Sequence, residues 1–97
     1  MRFSVVFLPS FERDLDRYVK KGGDYRHVQH VLRLLAIGDP LPPGLHDHQL
    51  LGKLRTYREL HIEHDMLLVY QKDGKRLILT CIWLVTHKKL RERERNV

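Results

Sequence analysis

The chain reads as a single α+β domain over residues 1–97, in which an N-terminal strand and an antiparallel two-helix hairpin pack on a mainly antiparallel β-sheet, followed by a short basic C-terminal tail. Three observations predict this. A β-branched and aromatic run opens the chain, two segments with a helical apolar period follow it, and then come three strand-like runs separated by turn signals. With 97 residues, 42% of them hydrophobic and 31% charged, there is room for one core and no second domain.

Strand one is expected from Arg2 to Leu8, rich in Val and Phe and closed by Pro9, which cannot donate to a sheet. The period then changes. Phe11, Leu15, Tyr18 and Val19 recur at helical spacing with charged residues between them, Ser10 is a candidate N-cap, and Gly22-Gly23 stops the helix. From Asp24, Val28, Val31, Leu32 and Leu35 repeat the spacing as far as Ile37, where Gly38-Asp39-Pro40 ends the second helix. Leu41 to Leu45 is a stiff loop by virtue of Pro42, Pro43 and Gly44, and Gly52-Lys53 suggests a turn. Strands are expected over Thr56–Ile62, Met66–Gln71 and Arg76–Val85, with Asp73-Gly74 as the signal for a tight hairpin before the last. In the first of these, Arg58, Leu60 and Ile62 share one side, with Tyr57, Glu59 and His61 on the other. The last, LILTCIWLV, is almost continuously apolar and belongs in the sheet interior, covered on both faces. The tail from Thr86 to Val97, with five cations and two glutamates after His87, reads as a solvated end or frayed helix.

Eighteen Lys and Arg against 12 Asp and Glu leave a charge of +6 with histidine neutral, which favours polyanionic partners such as nucleic acid, a ribosome or an acidic protein. Cys81 is the one cysteine, so no internal disulfide can form, and it reads as a buried structural thiol. The Phe3–Leu8 run is too short for a signal peptide, and Leu77–Val85 is about half the ~20 residues of a membrane helix. A cytoplasmic protein with no membrane partner is expected.

The stretch Asp47–Tyr70 gathers histidines, a carboxylate and cations beside a hairpin, with His87 at the end of the following strand. Metal-free RNA cleavage needs a base for the 2′-OH, donors for the charged phosphorane and an acid for the leaving 5′-oxygen, and histidine titrates near operating pH. His48, His61, Asp65 and His87 are the candidate set. A three-residue turn would make His61 and Asp65 direct cross-strand neighbours and a two-residue turn would not; the sequence leaves both open. Lys53, Arg55 and Arg58 are candidate phosphate clamps. A structural zinc is the competing use of His46-x-His48 and His61-x-x-His64. Residues at i and i+3 of a strand face opposite ways and no cysteine cluster completes a ligand set, so no metal or other cofactor is expected. His27, His30, His46 and His64 read as surface or hydrogen-bonded histidines, and Trp83 and Tyr70 as core.

The segment DHQLLGKLRTYRELHIEHDMLLVY, followed by a strand and THKKL, resembles the YafQ branch of the RelE/ParE toxin superfamily, whose pattern is DHxLxG, then YRxxHxxxDxxLxY, then a C-terminal T-H pair. The resemblance extends to the order of elements over nearly the whole chain and implies a RelE-like fold. It further implies a bacterial, ribosome-dependent mRNA endonuclease that acts in the ribosomal A site, on the small subunit, and is neutralised by an antitoxin encoded beside it. Such a toxin is expected to be monomeric when free and a hetero-oligomer with the antitoxin. His48, His61, Asp65 and His87 fall on the branch's active-site positions, which suggests Asp65 or His48 as general base, His87 as general acid and His61 at the scissile phosphate. Two departures bear on activity and codon preference. Arg91 stands where the branch has an aromatic residue, making it a candidate phosphate contact, and Met66 replaces a tryptophan. The basic tail is also a candidate contact for ribosomal RNA phosphates. The rival readings are a ParE-like toxin that poisons gyrase by protein binding, and a non-catalytic RNA- or ribosome-binding relative.

Overall fold

The computed structural model describes residues 2–97. It contains strands β1 (Ser4–Phe7), β2 (His48–Gln49), β3 (Arg58–Glu63), β4 (Met66–Asp73) and β5 (Ile78–Val85), and helices α1 (Pro9–Lys20), α2 (Tyr25–Ile37) and α3 (His87–Glu94). The five strands form one mixed sheet in the order β1-β5-β4-β3-β2. β1 runs parallel to β5 and every other pairing is antiparallel.

Local sequence explains most element ends. Pro9 opens α1 after Leu8, where its fixed φ suits a first helical residue and its missing N–H costs nothing. Ser10 is therefore not the N-cap expected of it; its hydroxyl donates to the Ile82 carbonyl at 2.7 Å and ties α1 to β5. Asp24 does cap α2, accepting from the Arg26 and His27 N–H groups at 2.9 and 3.4 Å. Gly38 ends α2 in the left-handed region, at φ 86°. The Asp-Gly turn is longer than a tight hairpin. Asp73 pairs with Ile78, its carboxylate accepts from the Lys75 and Arg76 N–H groups at 3.0 Å each, and Leu77 takes a φ of 56°.

The sheet is covered on both faces. On one, Phe11 and Tyr18 of α1 and Val28, Val31, Leu32 and Leu35 of α2 pack with Leu60, Ile62, Leu68, Leu79, Cys81 and Leu84. Val19, expected on that stripe, is 41% exposed. On the other face, Leu90 of α3 and Leu54 pack with Leu67, Val69, Ile82 and Val85. β5 is thus interior, as its apolar run predicts, and burial pushes the Cys81 thiol up to about 12.

The tail departs most from expectation. Thr86 caps α3 by accepting from Lys89 N–H at 3.2 Å, Leu90 is buried, and Arg93 forks onto Asp14 with both nitrogens at 2.7 Å from its oxygens. Asp14, 3% exposed, also accepts the Leu84 N–H at 3.0 Å. A segment that cannot fold by itself becomes a docked helix because a buried carboxylate on α1 receives it.

Candidate active site

His48, His61, Asp65 and His87 come from four different elements and line one open cleft of about 720 Å³, together with His46 and His64. The β3–β4 turn decides how Asp65 is used. Glu63 pairs with Met66 across a two-residue turn, His64-Asp65, and a bulge between His61 and Glu63 leaves Leu67 as the neighbour of His61. Asp65 therefore does not sit opposite His61. It reaches the start of α3, accepting the His87 N–H at 3.1 Å and lying 2.6 Å from His87 Nδ1. Those two hydrogen bonds, the imidazole's first, hold the Asp65 carboxyl below the usual carboxylate range. They fix His87 with Nδ1–H toward Asp65, leaving Nε2 toward the cleft.

His61 lies at the centre. Its ring centroid is 5.3 Å from that of His46 and 5.4 Å from that of His87, the latter edge-on. Burial, then the neighbouring imidazoles of His87 and His46, lower its pKa and favour the neutral ring. Its side chain has no hydrogen-bond partner among the described residues, so a ring nitrogen is free to take a proton.

His48 is held differently. Its Nδ1 lies 2.8 Å from the His46 carbonyl oxygen and its Nε2 2.9 Å from Glu59 Oε1. Both neighbours are acceptors when Glu59 is ionised, and only an imidazolium donates from both nitrogens. The β2–β3 register places His48 beside Glu59. Glu59 is 7% exposed, and its Oε2 is buried without a partner among the described residues.

Of the phosphate-clamp candidates, none lines the cleft. Arg58 lies on the other side of β3 from His61, as its alternation with Leu60 and Ile62 requires. There its Nη2 donates to Asp47 at 2.8 Å; Tyr70 donates to the same carboxylate, and the Asp47 hydrogen bond raises the guanidinium pKa further. The Arg58 guanidinium is thus held by Asp47 on the face of β3 away from the cleft. Lys53, Arg55 and Arg91 are exposed outside the cleft, with an Arg55 nitrogen 3.3 Å from the Gly52 carbonyl oxygen.

Sequence reasoning missed His46, His64 and Glu59. His46 and His64 are exposed, as expected of surface histidines, and they also line the cleft, while Glu59 stands behind His48. Glu59 and His61 share a face at i and i+2, which was the available signal. His27 is hydrogen-bonded as expected, its Nε2 2.6 Å from the Ile62 carbonyl oxygen. Tyr70 is core; Trp83 is only half-buried, edge-on to Tyr57 at 6.1 Å with Arg93 over its ring at 5.6 Å.

Residues 3–92 match the family model described as the bacterial toxin of type II toxin-antitoxin system, YafQ. Among curated proteins the chain is similar to the mRNA interferase toxin YafQ of Escherichia coli K12, 31% identical over 74 residues covering 75% of this chain and 80% of that one. It is also similar to a putative toxin YafQ of Haemophilus influenzae, 36% identical over 69% of each chain. Among solved structures, YafQ from E. coli BL21(DE3) superposes with a TM-score of 0.84 at 25% identity, covering 91% of this chain and 97% of that one. A metal-bound toxin from Helicobacter pylori gives 0.84 at 35% identity over 91% and 98%. The E. coli DinJ–YafQ toxin–antitoxin complex gives 0.82 at 25% identity over 93% and 98%.

Proposed function

The chain belongs to the YafQ family of type II toxin–antitoxin toxins, and from that premise we propose that it is an mRNA endonuclease whose histidine cleft cuts the strand by metal-independent acid–base catalysis. The observation that carries the reading is the convergence of His48, His61, Asp65 and His87 on one cleft, with His61 biased toward the neutral ring and His87 paired to Asp65.

In this mechanism His61, rather than Asp65 or His48, takes the proton of the 2′-OH. Its lone pair is free, whereas the Asp65 carboxylate is occupied by His87 and weakened as a base, and both His48 nitrogens face acceptors. The 2′-oxygen attacks phosphorus and the phosphorane forms. The P–O5′ bond then breaks as His87 delivers a proton from Nε2 to the departing oxygen, with Asp65 orienting the imidazolium through Nδ1. A 2′,3′-cyclic phosphate remains on the upstream fragment, open to hydrolysis to a 3′-phosphate. His48, its ring held between the His46 carbonyl and Glu59, forms the β2 wall of the cleft beside the phosphorane.

Ribosome dependence, which the family resemblance implies, is in keeping with the lining of the cleft. Its walls carry imidazoles and one carboxylate but no base-stacking Phe, Tyr or Trp and no Lys or Arg, so it has little with which to grip free RNA. A substrate held and bent elsewhere, as mRNA is in the ribosomal A site, removes that requirement. Lys53, Arg55, Arg91 and the other α3 cations lie outside the cleft, where they add long-range attraction for ribosomal RNA. The partner that restrains the activity is an antitoxin, with which the otherwise monomeric chain forms a hetero-oligomer. The site of action is the cytoplasm, where translating ribosomes are found.

The test is cleavage of reporter mRNA in a cell-free translation system, with and without ribosomes. His87→Ala and Asp65→Asn should each lower the rate by about 10²–10⁴-fold, in keeping with loss of one positioned acid or base. Undiminished cutting by both variants, or equal cutting of naked RNA, would overturn the assignment.

A further inference from the structure

The tip between β3 and β4 carries Asp65, and two side chains from the helices meet the hairpin just before it. The bulge between His61 and Glu63 leaves Ile62 without a partner in the β3–β4 register, and the Ile62 carbonyl oxygen lies 2.6 Å from Nε2 of His27 on α2. A carbonyl only accepts, so the ring nitrogen is the donor. One residue on, Glu63 Oε1 accepts the hydroxyl of Tyr18 on α1 at 2.5 Å.

Both contacts belong to the bulged register. Strict alternation along β3 would put Glu63 on the side of His61, away from Ile62. Across the bulge it meets instead Tyr18, which shares a core cluster with Ile62. Continued without the bulge, the His61–Leu67 register would pair Ile62 with Met66 and move Glu63 out of the strand into a three-residue tip. The donor on α1 is firmly seated. Tyr18 is 8% exposed, and a Cβ at Gly23 would lie 2.5 Å from its Cε2 and Cζ, so that only glycine fits beside the ring. Burial, then the Glu63 hydrogen bond, push the phenol up to about 12, which keeps the proton on the donor.

We propose that Tyr18 and His27 are positioning residues for the cleavage reaction: they hold β3 in its bulged register, and so hold the Asp65 tip where its carboxylate reaches His87. This rests on the reading of the cleft as the cutting site, in which Asp65 orients His87. The helices thereby select the turn, from a distance of 45 residues for Tyr18 and 35 for His27.

The full-length protein is compared with Tyr18→Phe, His27→Leu, Glu63→Ala and Glu63→Gln, and with Tyr25→Phe as control, at the exposed tyrosine that opens α2. In cell-free translation, Tyr18→Phe, His27→Leu and Glu63→Ala should each lower kcat per folded molecule about tenfold or more. KM for mRNA-programmed ribosomes should stay within about twofold, because a misplaced group slows the chemistry without loosening the substrate. Combining Tyr18→Phe with Glu63→Ala should lower kcat no further than either alone, the mark of two groups acting through one contact. Glu63→Gln keeps Oε1 as an acceptor and should restore most of what Glu63→Ala loses. In nitrogen NMR spectra of the histidine rings, the Nδ1–H form of His87 should give way to a mixture of ring forms in Tyr18→Phe and stay parental in Tyr25→Phe. Parental kcat in Tyr18→Phe, or unchanged His87 signals, overturns the proposal. So does a rise in KM at unchanged kcat, which would place the Tyr18–Glu63 pair in substrate binding. A parent protein that cuts no ribosome-bound mRNA overturns the nuclease reading instead, and the His87 signals then decide the positioning by themselves.

Discussion

The attachment of α3 gives the sharpest quantitative expectation. Asp14 receives two hydrogen bonds of 2.7 Å from Arg93 and one of 3.0 Å from the Leu84 N–H, and its side chain is 2% exposed. Asp14→Asn keeps the shape, removes the charge and turns an NH2 group toward at least one of those donors. Breaking a buried pair this way costs about 3–5 kcal/mol. The Arg93 side chain is 21% exposed and can swing partly into water, which places the cost near the lower end, about 3 kcal/mol. For a domain of this size each kcal/mol moves Tm by about 4–8 °C, so a fall of about 12 °C or more is expected. Arg17→Ala is the control: Arg17 meets the same carboxylate at 3.5 Å from a side chain 55% exposed, and its loss should cost less than about 0.5 kcal/mol. Urea titration and thermal melting of both variants read the difference. Asp14→Asn within 1 kcal/mol of the parent would refute the idea that this ion pair fastens α3.

Three more expectations follow from single contacts. Arg58→Ala should cost about 1–3 kcal/mol by freeing Asp47 and Tyr70, yet leave cleavage per folded molecule within about threefold; a selective loss of RNA cutting at full stability would return Arg58 to the substrate side. Removing the cap of α3 with Thr86→Ala and that of α2 with Asp24→Ala should each cost about 1 kcal/mol, but only the former should slow cleavage; equal cleavage by the two would separate α3 from catalysis. For His61 the sign runs through protons bound: the folded protein disfavours the charged ring, and the unfolded chain takes the proton near the ordinary value of about 6.5. Stability is therefore lost as pH falls through about 6.5 toward the lower folded value, and His61→Gln should flatten that slope. Denaturation midpoints with the same pH slope in both proteins would contradict it.

Much of this architecture could be read from periodicity. The apolar run ending at Val85 is interior on both faces, the α1 and α2 stripes pack as spaced apart from Val19, and Asp24 caps where it should. What escaped were interactions whose partners are far apart in sequence. Asp14 reads as one of several solvated charges on α1, because nothing nearby reveals that Arg93, 79 residues on, will reach it. Arg58 sits in a motif full of catalytic candidates, but strand alternation had already put it on the opposite side from His61. The approach of Asp65 to His87 depends on a turn of two residues rather than three, a choice that the residues at 62–64 do not determine. Glu59 escaped because a lone glutamate in a strand ordinarily faces water, whereas this one is enclosed beside His48.

Hairpin tips are customarily where a chain accepts lengthening, tags or grafted peptides, and this protein has two between long strands. The tip at residues 74–76 has more of that latitude, since Asp73 organises it and the tie to β1 comes at the following Leu77, whose carbonyl accepts the Ser4 N–H. The tip at His64-Asp65 does not: one added residue would carry the carboxylate away from the imidazole it steadies, and the cleft would lose a working part while the hairpin itself stayed whole.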